Sequence, residues 1–177
     1  MIEDIYESLE DSLVLSMQGV NKLFMRDYKI IPSYQNGLEP QDTYLSVNVL
    51  NMSSQRAVKS GALDTVFVDG VEYARDGIIT HYEALCQMTF VGPKAGAYAT
   101  DTHANIMAGL SLQEFHKNNI SVTRNGDLRK NPQLRGAKWV NEFAFDLYIS
   151  YAILSAALTG EWVEKITLNG ELINIRE

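Results

Sequence analysis

A second cysteine is missing from this 177-residue chain, so Cys86 can form no intrachain disulfide and stability must come from the packed core. An excess of positive charge is missing too: 15 Lys and Arg against 22 Asp and Glu give −7 at neutral pH. A sequence-independent grip on nucleic acid needs clustered cations facing phosphates, so the balance argues against DNA binding; passage of DNA along a repelling wall remains compatible with it. No apolar run nears the ~18 residues of a membrane span. The opening MIEDIYESLED is acidic where a secretion signal would be basic. These absences lead us to expect a soluble protein made in the cytoplasm.

Catalytic signatures are equally scarce. His81 and Glu83 share a strand face, but His103 and His116 lie far along the chain and no compact zinc pattern is present. Gly92-Pro93-Lys94-Ala95-Gly96 superficially resembles a phosphate loop, yet GxxxxGK[ST] is absent and Pro93 removes an N–H that such a loop would use. There is no GxSxG elbow, and Cys86 falls on the apolar side of its strand with Ala84, Met88 and Phe90, where a thiolate is disfavoured. Among Asp101, Glu114 and Asp127 an acid and a base could be paired only by assuming a fold that brings them together. No cofactor and no metal are expected.

What is present is hydrophobic patterning: 46% of the residues are apolar, enough for one core in one domain, 1–177. Residues 2–24 read as an amphipathic helix, with Ile2, Ile5, Leu9, Leu13, Met17, Val20 and Phe24 at spacings of three and four. A short strand is expected at 28–34, a turn at 35–40, and a strand from Thr43, where Leu45, Val47 and Val49 alternate with polar residues. Residues 51–62 are small, polar and basic and predict a loop; Asp69-Gly70 then suits a two-residue hairpin turn. Residues 51–77 thus read as a loop and hairpin arm.

The run from Ile78 to Val91 predicts a strand that passes through Gly92-Pro93, read as a helix cap, into one packed helix rich in Ala and Gly. After a further strand at ISVTR, positions 139–153 carry Trp, Asn, Phe, Phe, Leu, Ile, Tyr and Ile on the odd residues, with Glu142, Asp146 and Ser150 among the even ones. Such a row, at roughly 1.5–3 kcal/mol per buried large side chain, should anchor the sheet. The tail predicts a hairpin around Asn169-Gly170. The fold class is α+β: a mainly antiparallel β-sheet with flanking helices and a protruding loop or hairpin arm. Aromatic and basic residues on expected loops, Arg56, Lys59, Phe67, Tyr73, Arg75 and Trp162, are the candidate interface residues.

From Leu23 to Ile173 the order of elements, with the entry QNGLEPQDTYLSVNVL, the strand end QMTFVG, the Ala-rich helix and the aromatic strand preceded by Arg135, resembles the phage neck terminator and tail terminator (tail-completion) proteins. The resemblance implies a structural virion protein and no enzyme: a hexameric ring of copies at the head-to-tail junction, joining the portal or head connector to the tail tube, with DNA passing through its lumen unbound. It implies no membrane partner and a place in the virion after synthesis in the host bacterial cytoplasm. The alternative class is a small enzyme or ligand-binding domain with a site built from scattered polar residues; a ring seen by size-exclusion chromatography with light scattering separates the two.

Overall fold

In the computed structural model the backbone is described for residues 2–33, 40–68, 71–135, 138–161, 165–168 and 171–174, and side chains for 5–33, 40–55, 57, 77–134 and 140–153. Contacts divide the chain into two compact units, Met1–Gln55 with His81–Ala152, and Arg56–Thr80 with Ile153–Glu177.

The first unit carries the helices. α1 (Ile2–Leu23) buries Leu9, Leu13, Met17 and Val20 at the predicted spacing, while Glu7, Asp11 and Gln18 stay exposed. Its end is a capping motif: Arg26 N–H donates to Asn21 O (3.0 Å) and Met25 N–H to Lys22 O (3.3 Å). That geometry puts Met25 at φ 50, a position usually given to glycine, and leaves its side chain 94% exposed. The chain is then tied back through Arg26. Its guanidinium meets Asp101 Oδ2 at 2.6 Å and donates to Thr102 Oγ1 at 2.9 Å, and Thr102 also bonds the Tyr28 hydroxyl.

The main sheet follows the order β1 (Lys29–Pro32), β2 (Tyr44–Val68), β3 (Val71–Val91), β8 (Glu142–Glu161), β4 (Ile120–Asn125). β1 (Lys29–Pro32) pairs parallel with β2 (Tyr44–Val68), from Lys29↔Tyr44 to Pro32↔Val47. β3 (Val71–Val91) follows β2 after two residues, a connection that only an antiparallel pair permits. β4 (Ile120–Asn125) and the two-residue β5 (Arg129–Lys130) pair antiparallel with β8 (Glu142–Glu161). β6 (Gln133–Arg135) and β7 (Lys138–Val140) form a small antiparallel pair of their own. One face of the sheet buries Leu45, Val47 and Val49, then Ala84, Cys86, Met88 and Phe90, then Phe145, Leu147, Ile149 and Tyr151. The expected alternation is therefore present on all three strands, and Phe90 stacks on Phe145 with centroids 6.5 Å apart.

Several expectations need correction. Residues 51–62, read as a loop, are strand within β2: a small polar composition suits a strand whose pairing is decided by its neighbours and not by its own propensity. The Ala-rich helix is two helices, α2 (Ala95–Asn105) and α3 (Gly109–His116). Asn105 folds its side chain back to Asp101 O (2.8 Å), Ser111 Oγ bonds Asn105 O (2.8 Å), and Ala108 leaves helical geometry at ψ 147. These polar bonds compete with the helical ladder. Of the small residues, Ala95 and Ala99 are buried, and a Cβ on Gly96 would meet Phe143 Cζ at 3.0 Å; Ala97, Ala104, Ala108 and Gly109 are exposed.

The helix also starts later than its Gly-Pro signal, because Lys94 is the N-cap and Gly92 forms the turn before it at φ +118. The strand read across 139–153 breaks at Asn141, between β7 and β8. Glu142, placed on the polar face, is buried. The 35–40 turn falls largely, and the Asp69-Gly70 and Asn169-Gly170 turns wholly, outside the described residues, although strands flank both Gly turns as expected.

The second unit contains strand from β2, β3 and β8 together with a hairpin, β9 (Lys165–Leu168) antiparallel to β10 (Glu171–Asn174).

Candidate assembly interface

Arg56, Lys59 and Phe67 fall on β2, and Tyr73 and Arg75 on β3. The fold thus brings five candidate residues, expected on loops, onto two neighbouring strands of the second unit. Trp162 lies outside the described residues.

The first unit offers surfaces that the sequence reading did not select. On the sheet face away from the core, the Arg124 guanidinium lies 3.8 Å from the centroid of the Tyr148 ring, Gln55 donates to Glu83 (2.9 Å), and Arg129 pairs with Asp146 (2.7 Å). Leu23, Met25, Met107 and Leu110 are exposed near the end of α1 and around the α2–α3 connection. Ser16 bonded to Asn118, and Gly19 beside Glu114, show α1 and α3 running antiparallel. Hydrophobic periodicity points to core positions, so residues outside the period carry no signal of this kind.

Several titratable groups are held in structural roles. His103, expected on the outer part of its helix, is half-buried: Nε2 donates to Gly126 O (2.7 Å) and the ring stands edge-on to Phe145 at 5.1 Å. With Asn125 donating to His103 O (3.2 Å), it fastens α2 to the turn after β4. His81 and His116 are exposed. Asp101 pairs with Arg26, and Glu114 with Lys117 at 2.6 Å. Burial pushes the Tyr28 phenol up, opposed by its bond to Thr102. Desolvation likewise raises Glu10, against the bond that its Oε1 accepts from Val49 N–H (3.3 Å). Among the described residues no group of three His, Cys, Asp or Glu could hold a metal, and no helix is long and apolar enough to cross a membrane.

Cys86 is fully buried, and desolvation, helped by the charge of Glu10, pushes its thiol up to about 12. Since the thiolate is the reactive form, native protein at pH 8 is expected to leave iodoacetamide unreacted over hours and to react stoichiometrically once denatured. Rapid native alkylation, followed by mass spectrometry, would show the β3 face to be open.

A cleft of about 410 Å³ is lined by Asp27, Lys29, Asp42, Lys94 and Tyr98 among others, so charges of both signs face it. The described residues thus form an α+β sheet with flanking helices, with polar bonds that fasten elements together and charged and aromatic groups spread along the strands. The chain belongs to the phage neck terminator protein family, whose model matches residues 3–176. The match includes α1, which lay outside the resemblance noted from the sequence. No individually curated protein matches the chain. As a member of this family it is a phage structural protein and not an enzyme.

Proposed function

We propose that the protein assembles as a closed ring of copies, six as the family resemblance implies, at the junction of phage head and tail. One face meets the portal or head connector and the other the tail, and the ring completes the DNA channel. The family match over 3–176 carries this reading. The net charge of −7 supports it, because a lumen without clustered cations lets the duplex slide and avoids the multi-phosphate contacts that would arrest it. A ring requires each copy to present two different surfaces to its neighbours. Arg56, Lys59, Phe67, Tyr73, Arg75 and Trp162 are assigned here to contacts with neighbouring copies or rings. The whole chain, 1–177, acts as one domain with 51–77 as its arm, and the mature protein resides in the virion after synthesis in the host cytoplasm.

A phage lacking the protein tests this. Heads are expected to form and package DNA while heads and tails stay unjoined, seen by electron microscopy of the lysate, with infectious titre reduced by several orders of magnitude. Complete, infectious particles from that mutant would overturn the proposal.

A further inference from the structure

The two ends of the main sheet are finished differently. At one end β4 is short, interrupted by a bulge between Val122 and Arg124, and carries the exposed Arg124 over Tyr148. Short length, a bulge and a charged side chain are the devices that keep a sheet edge from pairing with another chain. At the other end β1 covers β2 only from Tyr44 to Val47. Ser33 N–H then bonds Val47 O (2.7 Å), and the Glu10 carboxylate takes the amide of Val49. From Leu50 to Val68 no strand among the described residues pairs with β2 on its side away from β3. That stretch contains no proline, and its charged residues are Arg56, Lys59 and Asp64. A long edge of this kind is a template for strand addition.

The chain also holds a strand pair in need of a sheet. Among the described residues β9 and β10 pair only with each other, over four residues each. The register opposes Ile166 to Ile173 and, on the other face, Thr167 to Leu172, so aliphatic residues fall on both faces of the ribbon. A two-stranded hairpin is marginal in water until it joins a larger sheet.

We propose that in the assembled protein the β9–β10 hairpin of one copy adds to the open edge of β2 in the neighbouring copy and extends its sheet. The inference rests on the ring reading above. Each chain supplies one acceptor edge and one donor hairpin, so the contact is heterologous and repeats around a ring until it closes. Main-chain hydrogen bonds supply the pairing, and alternate side chains set the register.

The test uses full-length chain with a benzophenone amino acid in place of Leu172, assembled from a mixture of isotopically heavy and light copies. After irradiation, mass spectrometry is expected to find the probe joined to peptides within 50–68, with heavy–light pairs showing that the link crosses between copies. Links confined to one copy, or landing outside 50–68, overturn the inference. A second arm measures assembly of an Ile166→Asp, Ile173→Asp variant by light scattering. The expected result is an unchanged melting transition of the core with at least a tenfold higher concentration needed for ring formation; assembly at the wild-type concentration overturns it. Wild-type chain that stays monomeric and is absent from particles sinks the ring reading itself, whereas a ring with the link elsewhere sinks only the hairpin contact.

Discussion

Phe145→Asp is expected to abolish the cooperative fold. Phe145 is fully buried near the start of β8, stacked on Phe90 and met edge-on by His103. Removing such a ring costs about 3–5 kcal/mol through lost transfer energy and the remaining cavity. Placing a carboxylate there without a cation adds a desolvation cost of several kcal/mol more. Together these rival the roughly 5–15 kcal/mol that separates a folded domain from its unfolded chain. The variant should be insoluble, or show no sigmoidal thermal transition by circular dichroism. Phe145→Leu keeps the position apolar and should melt cooperatively at a lower temperature. A soluble, cooperatively melting Phe145→Asp would mean that β8 presents its other face to the helices.

Gly92→Val should be the next most damaging change, for a reason lodged in the backbone. Gly92 sits at φ +118, where side-chain-bearing residues are strained, and a Cβ there would lie 2.8 Å from Thr43 Cα. The obstacle is main chain and cannot swing aside. Thr43 is itself fixed, since its Oγ1 accepts the N–H of Lys94 at the start of α2 (3.0 Å). A loss of about 3 kcal/mol or more is expected, lowering Tm by roughly 6–12 °C for a chain of this size. Gly109→Ala is the matched control: nothing lies within 4 Å of the added Cβ at the first turn of α3, so the change should be neutral or slightly stabilising. Equal melting temperatures for the two variants would remove the argument from Gly92.

Much of the fold was legible because burial has a period. The odd residues 45, 47 and 49, the even residues 84 to 90 and the odd residues 145 to 151 all face the core as the alternation requires, and α1 buries its predicted stripe. The Gly-Pro junction was legible as a change from strand to helix; its register was not, because whether Gly92 is the cap or the turn before it depends on Thr43, far away in sequence. The division of the Ala-rich segment into α2 and α3 was hidden for the same reason, since small residues permit both a continuous and a broken helix. Glu142 shows the limit of alternation: a polar residue at an outward position is buried beside a strand break.

The candidate interface divides in the same way. Residue type together with an expected loop position selected Arg56, Lys59, Phe67, Tyr73 and Arg75, whereas their placement on β2 and β3 follows from pairing that composition did not reveal. By itself the sequence determined the α+β class, the core rows and the apolar setting of Cys86, all consequences of side-chain chemistry read at short range, and the order of its elements carried the resemblance to terminator proteins. Tertiary structure alone decided which edges of the sheet are closed, where the helices break and which polar groups fasten them. Those outcomes depend on hydrogen bonds between residues distant in the chain, Lys94 with Thr43, Arg26 with Thr102, His103 with Gly126, whose partners no local pattern specifies.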